Sequence, residues 1–99
     1  MKYKIRAAAA RDLDDAAAWY REHSIDPRVA VRFLLEMRAA FEAIADSPHA
    51  FPEVHREVRR CRVFAFPAYS IFYRVLPDVV VITAIFHGRR RPLTWKRRT

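Results

Sequence analysis

The hydrophobic period of this 99-residue chain switches from helical to strand-like near its middle. From Asp12 to Ile44 the apolar residues recur at helical spacing, and from Val58 to His87 they follow strand-like alternation and apolar runs. Such a chain has to lay helices on a sheet, because each half exposes an apolar side that only the other can cover.

In the helical half, Leu13, Ala16, Ala17 and Tyr20 stand at i, i+3, i+4 and i+7. An amphipathic helix is expected from Asp12, with Asp12, Asp14 and Asp15 near its N-terminus, where the dipole favours anions. Asp26-Pro27 restarts the pattern, since Asp suits an N-cap and Pro suits a first helical position that needs no N–H. Ala30, Phe33, Leu34, Met37, Ala40, Phe41 and Ile44 form the second stripe, which Asp46-Ser47-Pro48 ends. The short link predicts an antiparallel helical hairpin. Ahead of it, Lys2 to Arg6 alternates basic residues with Tyr3 and Ile5 and reads as a short strand.

Beyond a loop holding Pro48, His49 and Pro52, strands are expected at Val58 to Phe64, Tyr69 to Val75 and Val79 to His87, the last two joined by a tight turn at Leu76-Pro77-Asp78. Strict alternation turns Ile71, Tyr73, Val75, Val80, Ile82, Ala84 and Phe86 toward the helices. The expected fold class is α+β: an N-terminal strand and a helical hairpin packed on a small antiparallel sheet. Residues 1–99 form one domain, because a chain this short supports one core, and 89–99 form a basic C-terminal tail.

Composition removes several function classes. The single cysteine, Cys61, excludes an intrachain disulfide and a multi-cysteine zinc site and fits a reducing compartment. His23, His49 and His55 show no metal-ligand spacing, so neither metal nor cofactor is expected. The single glycine, Gly88, excludes phosphate-cradling loops, and with them Rossmann and P-loop enzymes. Met1 to Arg6 is followed by only four alanines, short of a signal peptide's apolar stretch, and the run Val79 to Phe86 is far short of the roughly 20 residues that cross a bilayer. A cytoplasmic protein without membrane contact is expected.

The formal charge of +8 is unevenly placed. Residues 1–54 hold 8 Lys/Arg and 9 Asp/Glu, net −1, whereas residues 55–99 hold 11 and 2, net +9. Alternation collects Arg74 and His87 on the sheet face away from the helices, together with Arg60 and Arg62, and Arg89 continues the parity past the strand. Guanidinium groups bind phosphate oxygens in pairs and can stabilise a pentacovalent transition state, and an imidazole can move a proton near neutral pH. The same residues also fit a solvated sheet face with His87 closing a hydrogen-bond network. Phe72 suits either base stacking or packing, and Cys61, between Arg60 and Arg62, suits either a reactive thiol or a core thiol. The tail from Arg89 to Arg98 carries six cations around Trp95 and reads as a nucleic-acid anchor or a frayed terminus.

Four segments in this order resemble the RelE/ParE family of toxins from type II toxin–antitoxin modules, the plasmid-stabilisation type. They are Asp12-Leu13 through Ala17-Ala18-Trp19-Tyr20, Arg32-Phe33-Leu34 onward into Ile44-Ala45-Asp46-Ser47-Pro48, Phe66-Pro67-Ala68-Tyr69-Ser70-Ile71-Phe72-Tyr73-Arg74-Val75, and Phe86-His87-Gly88-Arg89-Arg90-Arg91-Pro92-Leu93-Thr94-Trp95. The resemblance implies a helical hairpin against a small curved antiparallel sheet, growth arrest by the free toxin, and a co-expressed antitoxin that wraps it as a hetero-oligomer.

Two activities are implied by the two branches of the family. RelE-like members are ribosome-dependent endoribonucleases that drive attack of a ribose 2′-OH on the adjacent phosphate of mRNA, whereas ParE-like members inhibit DNA gyrase without a nuclease site. On the first reading Arg74, His87 and Arg89 are catalytic, and Arg60, Arg62, Phe72, Arg90, Arg91 and Trp95 bind RNA. Ser70 or Tyr69 stands where RelE-like members carry an arginine, Glu57 and Tyr73 are the remaining acid/base candidates, and the long hairpin from Asp12 to Asp46 is similar to the ParE-like branch. The antitoxin is expected to be acidic and partly disordered, with an amphipathic helix seated on Leu13, Tyr20, Phe33 and Met37.

Overall fold

The computed structural model describes residues 1–88 and 96–97. Strand β1 (Lys2–Ile5) leads into helix α1 (Ala7–His23) and helix α2 (Arg28–Asp46), followed by β2 (Glu53–His55), β3 (Val58–Val63), β4 (Phe66–Val75) and β5 (Val79–His87). The sheet order is β1-β5-β4-β3-β2. Neighbours are antiparallel except at β1, which lies parallel to β5. The helical hairpin on an α+β scaffold is the expected fold, with the N-terminal strand making the sheet mixed.

Helix α1 begins more than a turn earlier than Asp12, because Ala7 to Ala10 are good helix formers with nothing to stop them. No acidic residue therefore sits in its first turn. Helix α2 begins as the Asp26-Pro27 signal suggests: the Asp26 carboxylate accepts the Arg28 amide at 2.9 Å and pairs with the Arg28 guanidinium at 2.9 Å. Strand β2 lies where the sequence predicts a loop. It pairs with β3 through a two-residue turn, Arg56-Glu57, whose φ values of 33° and 67° are the left-handed geometry of a type I′ hairpin.

The main core lies between helices and sheet. Phe33, Met37, Phe41 and Ile44 of α2, with Ala9, Ala16 and Ala17 of α1, meet Cys61, Val63, Tyr69, Ile71, Tyr73, Val80, Ile82 and Ile85. A second, smaller cluster of Val58, Phe72, Ala84 and Phe86 lies apart from it. Alternation along β5 breaks between the two clusters: Phe72 pairs with Ala84 but Tyr73 pairs with Ile82, leaving Thr83 as the extra residue of a β-bulge. The Thr83 hydroxyl donates to the Phe72 carbonyl at 3.2 Å, so the bulge is held from within.

The bulge corrects the expected faces. Ala84 and Phe86, assigned to the helix side, stand on the other face, while Ile85 joins the main core. Beside it, β1 stops pairing at Ile82, and α1 takes over the edge: Asp12, nearly buried, accepts the Ile85 amide at 3.0 Å. At the far end the Tyr73 hydroxyl donates to the Pro48 carbonyl at 2.6 Å, and Arg59 donates to the Phe51 and His49 carbonyls at 2.7 and 3.4 Å, tying the segment after α2 to the sheet.

Candidate functional site

Strand β3 supplies Arg60 and Arg62 to the sheet face away from the helices, because the intervening Cys61 is taken by the main core. Register places Arg62 opposite Ser70 and Arg60 opposite Phe72. At the end of β5, the Gly88 amide donates to the Ala68 carbonyl at 2.8 Å and draws the chain against Pro67-Ala68. Arg60, Arg62, Pro67, Ala68, Ser70, His87 and Gly88 together line a groove of about 590 Å³. Among the described residues no carboxylate pairs with Arg60 or Arg62, so the groove is an uncompensated positive site suited to phosphate or carboxylate oxygens.

His87 does not share the face of Arg74, as the alternation had suggested. The extra residue Thr83 reverses the parity beyond it, and the His87 ring packs edge-on against Tyr69, 5.2 Å between centroids. It stands where the basic groove meets a second cleft of about 220 Å³, whose lining includes Asp12, Asp15, Trp19 and Tyr69. Tyr69 pairs with His87 in register whereas Arg74 lies five residues further along β4, about 17 Å away at ordinary strand rise. Arg74 faces Glu57 instead, at 3.8 Å.

Two other chemistries are closed off by burial. The Cys61 thiol is pushed up to about 11 by its apolar surroundings, which makes it a core thiol and not a nucleophile. Tyr73 is pushed up to about 12, chiefly by burial, with Arg59 opposing the shift, and its hydroxyl is committed to Pro48. Phe72, 3% exposed, packs with Val58, Ala84 and Phe86, so its face is not offered to a base.

The helix residues expected to seat the antitoxin are also spent on the fold. Phe33 and Met37 are 0% exposed, and Leu13 and Tyr20 pack against the same core, Tyr20 lying 5.1 Å from Phe33 ring to ring. The stripe that predicted the helix is the stripe the sheet covers. What α2 does expose is Val31, Leu34 and Leu35. Arg89, Arg90, Arg91 and Trp95 lie outside the described residues. No group of three or more metal-ligating side chains occurs among the described residues, and no helix among them is long and apolar enough to cross a membrane.

Phe64 occupies the two-residue turn between β3 and β4 and is 97% exposed.

A helical hairpin on a five-stranded sheet with a basic outer face agrees with the fold that the resemblance to type II toxins implies. Residues 3–92 match the family model described as ParE toxin of type II toxin-antitoxin system, parDE. The chain is 32% identical over 85 residues to Toxin RelE1 of Caulobacter vibrioides, an alignment covering 85% of this chain and 89% of that protein. Its fold is similar to a chain in the chromosomal ParDE TA system from P. aeruginosa, with a TM-score of 0.75 and 22% identity over 88% of this chain and 95% of that one. The chain belongs to the ParE toxin family of type II toxin–antitoxin systems. Membership implies an antitoxin partner.

Proposed function

We propose that this toxin, once released from its antitoxin, arrests growth in the cytoplasm by inhibiting DNA gyrase and not by cutting ribosome-bound mRNA. The observation that carries the reading is the separation of Arg74 from His87, about 17 Å apart along the sheet, with the His87 ring packed on Tyr69 and Arg74 facing Glu57. Cleavage through a ribose 2′-OH needs a base at that hydroxyl and an acid at the leaving oxygen, each within hydrogen-bond reach of one phosphate. Tyr73 lies in the core and Glu57 faces Arg74, so neither supplies a second group beside His87. The family match to ParE toxins supports the same branch.

The resting state on this reading is a hetero-oligomer with an acidic, partly disordered antitoxin, whose negative segment offsets the net +9 of residues 55–99. Expression of the toxin without antitoxin, followed in parallel by mapping of mRNA ends and by plasmid topology, tests the choice. Plasmid losing negative supercoils with transcripts intact is the expected result. Transcripts cut within codons while supercoiling stays normal would reverse it.

A further inference from the structure

The side of α2 that faces away from the sheet carries a pattern for which neither the core nor gyrase inhibition has a use. Arg28, Val31, Leu35, Ala39 and Glu42 are all exposed, at spacings of 3, 4, 4 and 3 residues. At about 100° per residue they fall within about 40° of Leu35, opposite Phe33, Met37 and Ile44, which face the core. We infer that this stripe docks a second copy of the chain, the two α2 helices packing antiparallel about a two-fold axis at Leu35. This goes beyond the gyrase reading and does not depend on it.

The spacing is the same read from either end, as a two-fold contact requires, because each residue must meet its counterpart across the axis. Leu35 meets Leu35 of the second copy, Val31 meets the small Ala39, and Arg28 meets Glu42. Val31 and Leu35 are 59% and 62% exposed, so both have apolar surface to bury. The charges fit as well. Arg28 holds Asp26 through Nε and Nη2, and Glu42 receives Arg38 on Oε1, so among the described residues Arg28 Nη1 and Glu42 Oε2 make no bond. This open donor and open acceptor lie about 21 Å apart along the helix, at equal distances on either side of Leu35. A two-fold axis brings each to the other. Arg32, whose counterpart across the axis is Arg38, is turned to the Phe66 ring, 6.0 Å from its centroid.

The stripe holds one cation and one anion, so it offers no net charge to an acidic antitoxin or to a polynucleotide, both of which the +9 of residues 55–99 attracts. A contact between two 19-residue helices, each about 28 Å long and about 10 Å across, buries less than the ~1,000 Å² of a stable interface, so the dimer forms and dissociates with concentration. Because the helices cover the sheet face away from Arg60 and Arg62, each copy keeps its basic groove on the outside of the dimer.

The test is sedimentation velocity of full-length toxin, free of antitoxin, from about 1 μM to 1 mM. The wild type should shift from one copy toward two across this range. Leu35→Glu sets two carboxylates face to face on the axis and should weaken association by about 100-fold or more, while its Tm in dilute solution stays that of the wild type. Glu42→Arg should weaken association by roughly 2- to 30-fold, since two exposed ion pairs are lost per dimer, and adding Arg28→Glu should restore it.

The inference is overturned if the wild type keeps the mass of one copy up to the highest concentration, or if folded Leu35→Glu associates as the wild type does. It is also overturned if the charge-exchanged double variant associates no better than Glu42→Arg. Loss of antitoxin binding by Leu35→Glu with self-association retained would give the stripe to the antitoxin instead. Supercoiling inhibition measured on the same variants reports separately on the gyrase reading.

Discussion

The His87 ring stands edge-on to the ring of Tyr69, 5.2 Å between centroids and 89° between planes. Tyr69 belongs to the main core, so the contact fixes the imidazole at the helix-side edge of the sheet, away from Arg74. His87→Ala and Arg74→Ala are therefore expected to go on arresting growth when induced without antitoxin. Loss of arrest in either variant, with antitoxin binding retained, would restore the nuclease reading.

Asp12 carries the edge of β5 where β1 ends. Its Oδ2 accepts the Ile85 amide at 3.0 Å inside the fold, and Asp12→Ala leaves that N–H without its acceptor. The cost of a buried unsatisfied donor is about 1–3 kcal/mol. In a domain of this size each kcal/mol moves Tm by about 4–8 °C. Asp12→Asn keeps an acceptor oxygen and should lose less. Thermal melts of the three proteins check the order, and an unchanged Tm for Asp12→Ala would contradict it.

Met37 is fully buried in the main core. Met37→Ala should cost about 2–5 kcal/mol in urea unfolding, whereas Val31→Ala, on the exposed side of α2, should stay within about 0.5 kcal/mol. If the antitoxin seated on Met37, the substitution would weaken the complex without lowering the stability of the free toxin.

Much of the fold was legible because period and punctuation agree with tertiary structure. Asp26-Pro27 opens α2, Asp46 ends it, and Val79–His87 is the strand its apolar run predicts. The faces of β5 were not legible. Every residue from Val79 to Phe86 is apolar except Thr83, so no polar position marks where the alternation slips. Asp12 was hidden in another way: in an acidic run it resembles a solvated helix start, and only the third dimension places it against β5. Burial was not legible at Leu13, Tyr20, Phe33 and Met37 because one apolar stripe fits either a partner helix or the sheet, and in the fold the sheet covers it. Arg60 and Arg62 emerged correctly on one face because Cys61 between them is apolar enough to fix the parity of β3.

Alkaline pH should loosen the fold. Burial raises Cys61 from 9.0 to about 11 and Tyr73 from 10.0 to about 12, so the folded protein holds both protons where the unfolded chain has lost them. Their contribution is complete below pH 9 and disappears as pH rises through 11 and 12. Denaturant midpoints from pH 8 to pH 11 should fall progressively, and Cys61→Ala, compared with its own value at pH 8, should fall less steeply above pH 9. A flat profile for the parent protein would contradict the burial of both groups.

Supercoiling of relaxed plasmid by purified gyrase, with and without the purified toxin, tests the central claim most directly. The toxin should block the appearance of supercoiled product, His87→Ala should block it as well, and stoichiometric antitoxin should restore it. Full supercoiling at toxin concentrations well above those of gyrase, in a preparation that still binds its antitoxin, would contradict the account.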